Sequence, residues 1–154
     1  MKNVWMPFLI LALGLCANGE THCQHVGGAV ATNFIDSSTT LGTATGDLKG
    51  GLGVSVLSFQ PNLDGSLTFY NQHHWVTESG DTIQLEAAYA TGYPTPVAGL
   101  YAARYNDGVS ITGGTGKFAN AAGKLDSWGA VDLTNKQVVL RYEGRVCFAS
   151  PDRD

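Results

Sequence analysis

Helical periodicity is what this sequence most lacks: no stretch of ten or more residues repeats an apolar position every three to four. That excludes helical bundles and alternating α/β folds. Charge is also scarce, at 14% of residues, and basic charge most of all: 9 Lys and Arg stand against 13 Asp and Glu. Phosphate binding needs a basic face, and the sequence offers none, so no nucleic acid partner is expected. Long apolar runs are missing too. The uninterrupted run from Phe8 to Ala17 is half the ~20 residues a bilayer span requires, so no stable membrane insertion is expected. No linker or change of composition divides residues 20–154.

What is present begins with a leader. Met1-Lys2-Asn3 gives a positive start, Phe8–Leu15 an apolar run, and Ala17-Asn18-Gly19 the small residues a signal peptidase reads. Residues 1–19 therefore read as a cleaved signal peptide, with residues 20–154 as one β-barrel domain in a secreted or periplasmic protein. Cys16 could instead be lipidated, but that signal wants a small residue before the cysteine and Leu15 is not small. Cleavage removes Lys2 from the 9 basic residues and leaves 8 against 13 acidic ones. It also leaves two cysteines, Cys23 and Cys147. In an exported chain these are expected to form a disulfide closing a loop of about 125 residues.

Alternation and turn chemistry fill the rest. About eight strands are expected: Gly28–Ile35, Gly42–Lys49, Gly51–Phe59, Leu67–Val76, Thr82–Tyr89, Leu100–Tyr105 with Val109–Thr112, Lys124–Leu133 and Gln137–Phe148. Gly113–Gly116 leads into Lys117–Ala121, read as a further short extended piece. Asp64-Gly65 and Thr134-Asn135 mark turns, and Asn106-Asp107-Gly108 a turn or bulge. Many short antiparallel strands with cysteines near both ends predict an all-β, closed antiparallel barrel.

Ile111-Thr112-Gly113-Gly114-Thr115-Gly116-Lys117-Phe118-Ala119-Asn120-Ala121-Ala122-Gly123-Lys124 resembles the glycine-rich hallmark of the allene oxide cyclase-like and dirigent-like barrels. Thr43–Leu48 and Val138–Gly144 resemble further segments of the same superfamily. The leader and the cysteines look more like dirigent proteins than the plastid cyclases. The resemblance implies a barrel that holds a hydrophobic intermediate, without a cofactor, and that forms dimers or trimers. Cyclases of this kind close an epoxide, and dirigent proteins steer radical coupling. No catalytic residue set of either carries over by position. The competing reading, a phosphate loop, fails because the Gly-Thr-Gly-Lys stretch leads into more strand rather than a helix N-terminus.

Several residues are candidates for chemistry. His73 and His74 point to opposite faces of a strand, so one should enter the lumen, as a proton donor or acceptor or as a packed, hydrogen-bonded side chain. Glu86 could lie beside His73, and Arg104 or Arg141 could polarise a ligand oxygen, although solvent-facing ladders explain all three equally well. Asn33, Trp75, Tyr89, Trp128 and Tyr142 are candidates for lining a ligand, and Asp47 is a further polar one. On the last strand either Tyr142 or Arg141 must face inward. His22-Cys23-Gln24-His25 lacks the ligands of a metal centre, so no metal is expected. The expectation is a secreted barrel that binds a small hydrophobic or phenolic molecule and guides a cyclisation, isomerisation or coupling. A non-enzymatic carrier and a structural barrel are the alternatives.

Overall fold

The computed structural model describes residues 21–149, and every strand among them is antiparallel to its neighbours. The residues read as a leader, 1–19, with Cys16 among them, lie outside the described residues. In chain order the strands are β1 (Thr21–Phe34), β2 (Thr39–Ala44), β3 (Gly50–Pro61), β4 (Leu67–Thr77), β5 (Thr82–Leu85), β6 (Ala88–Pro94), β7 (Leu100–Tyr105), β8 (Val109–Gly114), β9 (Ala122–Asp132) and β10 (Gln137–Ala149). β5 and β6 both pair with β4, and β7 and β8 both pair with β9, so each couple is one interrupted stave. Because β10 pairs with both β9 and β1, the sheet closes into an eight-stranded barrel without an edge.

The first and last strands meet as expected, over a longer stretch. β1 starts at Thr21 rather than Gly28 and stays in register with β10 from Thr21↔Ala149 to Asn33↔Gln137. Cys23 lies directly opposite Cys147, and the two form a disulfide. Two expected extended pieces end early. β2 stops at Ala44 and the chain makes a 3-10 turn at Gly46–Leu48, because Gly46, at φ 84°, sits against the backbone of Gly27 and Gly28, where a Cβ has no room. Gly116–Phe118 is likewise a 3-10 turn, not strand, and it drives Phe118 wholly into the core.

Two irregularities decide which side chains face inward. From Ile83 to Ala88 the chain takes five residues while β4 takes four between their partners, Trp75 and Asn71. The extra residue, at Glu86-Ala87, inverts the alternation: Ile83 and Leu85 face the core on β5, but Ala88 and Ala90 do so on β6. At Asn106-Asp107-Gly108 two residues are added, which restores the same parity, so Tyr105 and Val109 are both buried.

The two ends of the barrel differ. The loops after β2, β4 and β8 close one end, packing Leu48 and Phe118 beneath Val26, Ile111, Leu125 and Val146. At the other end Phe34, Val54, Val56 and Val138 are half-buried and border an opening.

Candidate functional site

The inward faces of the staves enclose a narrow lumen, running from Trp75 and Tyr142 at the closed end to Phe34, Val56 and Val138 at the mouth. Its walls are almost wholly aliphatic and aromatic. The side chains fill most of it and leave a cavity of about 80 Å3, room for a few waters and well below the ~300 Å3 of a drug-sized pocket.

The floor is hydrogen-bonded shut. The indole Nε1–H of Trp75 donates to the Leu48 carbonyl at 2.7 Å. Tyr142 Oη donates to the Thr45 carbonyl at 2.7 Å and accepts from the Leu48 N–H at 3.0 Å. The two rings meet edge to face, with centroids 5.3 Å apart. Trp75 and Tyr142 therefore present their faces to the lumen while their polar tips hold the 3-10 turn below.

Mid-barrel the apolar lining is interrupted. Asn71 and His73, two residues apart on the inward face of β4, reach Tyr105 at the end of β7. His73 Nε2 lies 2.7 Å from Tyr105 Oη, and the Asn71 side-chain amide donates to the same oxygen at 3.2 Å. The Tyr105 hydroxyl, which accepts from Asn71, can give its own proton to His73 Nε2, and in that arrangement the neutral imidazole carries its hydrogen on Nδ1. His73 Nδ1, Asn71 Oδ1 and, on β2, Thr40 Oγ1 have no partner in the protein. Burial pushes the His73 pKa down to about 4, with a smaller push from His74, and pushes Tyr105 up to about 12. At neutral pH the cluster is a set of uncharged hydrogen-bonding groups. Its imidazole is a weak base and its phenol a weak acid, so proton transfer is not what the geometry favours.

Of the residues singled out in the sequence, His73, Trp75 and Tyr142 line the lumen. The others are outside. His74 is exposed because it alternates with His73, and Arg141 because Tyr142 took the inward place. Glu86 lies in the β5–β6 irregularity, exposed, and does not reach His73. The same irregularity turns Tyr89 outward, where it stacks on Tyr70 at 4.4 Å. Arg104 borders the cavity but is exposed, because Ala103 and Tyr105 hold the inward positions of β7. Asn33 and Trp128 are exposed, on strands whose inward residues are Thr32 with Phe34 and Ser127 with Leu125. Asp47 serves the fold by accepting the Gly27 N–H at 2.8 Å. The disulfide consumes the Cys23 thiol of the His22–His25 stretch. Tyr105, Asn71 and Thr40 escaped the sequence reading. The only signal for Asn71 was its place on the same face as His73.

The fold and site together define the class: a closed antiparallel barrel with an uncharged, mostly apolar lumen. No described family matches the chain, and no curated protein does either. Among solved structures the chain is similar to a pterocarpan synthase dirigent protein. That match has 15% identity and a TM-score of 0.38, and it covers 93% of this chain and 100% of the other.

Proposed function

We propose that this protein is an exported barrel that admits a small, uncharged, mostly apolar molecule at its mouth and orients it against His73, Tyr105 and Asn71. The observation that carries this reading is the cluster itself. Placing these polar side chains inside an aliphatic lumen, with Asn71, His73 and, on the same lining, Thr40 each keeping an unpartnered atom, costs stability, and packing alone gives no return for it. A ligand hydroxyl supplies the missing partners, since it can both accept a hydrogen bond and donate one to Asn71 Oδ1, whereas a carbonyl or ether oxygen can only accept. With no group charged at neutral pH, a charged ligand would find no counter-ion there. Where the ligand is reactive, confinement guides its cyclisation, isomerisation or coupling, since fixed orientation removes much of a barrier without proton transfer. Export rests on the leader and agrees with a disulfide. The likeness to dirigent-like and allene oxide cyclase-like barrels noted in the sequence points the same way.

The small free volume favours a second reading, a structural barrel filled by its own side chains. An NMR titration with phenol and cyclohexanone as uncharged probes separates the two. The ligand reading expects shifts at His73, Tyr105 and Asn71 that a His73→Gln variant weakens. Silence from both probes, with no co-purifying small molecule in native mass spectrometry, would leave the structural reading.

A further inference from the structure

Strand β2 distributes its side chains against the usual rule for packing. Leu41 faces out and is half exposed, while Thr40 faces in and is 3% exposed. Inside, the Thr40 hydroxyl finds no partner in the protein. A valine would fill nearly the same volume without burying an unpartnered hydroxyl, so the fold gains nothing from the threonine.

The register ties Thr40 to the polar cluster. Thr40 pairs with Val54 on β3, and Val54 pairs with His73 on β4. The three form one row across neighbouring staves, and all three line the lumen. Two strand spacings of ~4.8 Å put Thr40 and His73 roughly 10 Å apart at Cα, or less where the wall curves. Each keeps an unpartnered polar atom, Oγ1 at one end of the row and Nδ1 at the other, and Asn71 adds its Oδ1 beside His73. The lumen thus has two polar poles separated by the aliphatic side chain of Val54. The space they share, about 80 Å3, suits a slim molecule better than a broad one.

We propose that Thr40 is a second anchor of the lumen and that the ligand is a small diol, two hydroxyls joined by a short aliphatic spacer. This rests on the lumen reading above and adds the ligand's second polar group to it. One hydroxyl meets His73 Nδ1 and Asn71 Oδ1. The other meets the Thr40 hydroxyl, which can donate or accept. A spacer of about four carbons, with a hydrogen bond of ~2.8 Å at each end, covers the row and lies along Val54. A ligand with a single hydroxyl leaves one pole unpartnered, and that cost is the source of discrimination.

The test is an NMR titration of the disulfide-intact protein with 1,4-butanediol, n-butanol and phenol. Wild type should bind the diol at least threefold more tightly than n-butanol, although the diol is the better hydrated of the two. Thr40→Val should reverse that order and Thr40→Ser should keep it. Thr40→Val should also unfold in urea at the same midpoint as wild type or a higher one. No preference for the diol in wild type, or an unchanged preference in Thr40→Val, overturns the second anchor. A lowered midpoint in Thr40→Val does the same, since the hydroxyl would then serve the fold. Phenol reports on the lumen alone. Binding of phenol without either alcohol removes the diol reading and leaves the lumen reading standing, whereas silence from all three removes both.

Discussion

Acid should weaken this fold through one side chain, His73. Its imidazole titrates near 4 in the folded barrel against an ordinary 6.5, because burial penalises the charged form and no carboxylate faces it. As pH falls, the unfolded chain takes up the proton near 6.5 while the folded chain resists until about 4. The contribution of His73 is therefore whole above 6.5 and is lost progressively between 6.5 and 4. The gap of 2.5 units, at about 1.4 kcal/mol per unit, amounts to about 3 kcal/mol. Asp36, Asp64 and Asp132, whose carboxylates accept loop hydrogen bonds, are held below their ordinary 3.8, so their losses come at more acid pH and do not blur this window. Urea unfolding at intervals from neutral pH to about 4 measures the slope. His73→Gln keeps a partner for Tyr105 and removes the titration, while the exposed His22, His25 and His74 remain in both proteins. The variant should lose most of the acid sensitivity between 6.5 and 4. Equal slopes in the two proteins would refute the burial argument.

Further expectations concern the rest of the lumen and the closure. Tyr105, raised to about 12 from 10.0, stabilises the fold fully below 10 and loses its contribution as pH rises through 12; burial raises Tyr142 as well, so ultraviolet titration should show a late phase in tyrosine ionisation from which Tyr105→Phe removes the step near 12. Reducing Cys23–Cys147, or Cys147→Ser, should lower the denaturant midpoint by up to about 4 kcal/mol equivalent, since the bridge closes most of the chain. Trp75→Phe leaves the Leu48 carbonyl without its indole donor and should cost about 1–3 kcal/mol in urea unfolding. Gly28→Ala would place a Cβ 2.0 Å from the Thr45 carbonyl oxygen and 2.6 Å from Tyr142 Oη, so the floor must shift. A loss of about 1–3 kcal/mol, with altered near-ultraviolet dichroism of Trp75, is the expected result.

The barrel was legible because β4 and β10 alternate cleanly, and because two cysteines near the ends call for adjacent first and last strands. The choice between His73 and His74, or Tyr142 and Arg141, was not legible, since alternation fixes a pair of faces without saying which is inside. Tyr89 was misread for a sharper reason. A single extra residue at Glu86-Ala87 inverts the stave midway, and nothing in Gln-Leu-Glu-Ala-Ala-Tyr announces it. Tyr105 was overlooked because its partners lie 32 and 34 positions away and meet it only once the barrel closes.

The placement of the disulfide also has a mechanical meaning. Cys23 and Cys147 sit two residues in from Thr21 and Ala149, where the outermost staves begin and finish side by side. Tension applied to the two ends would run through that covalent link, and the barrel between them would carry almost none of the load. Once the link is reduced, the same pull would peel β1 from β10 one hydrogen bond at a time, the weakest way to load a sheet.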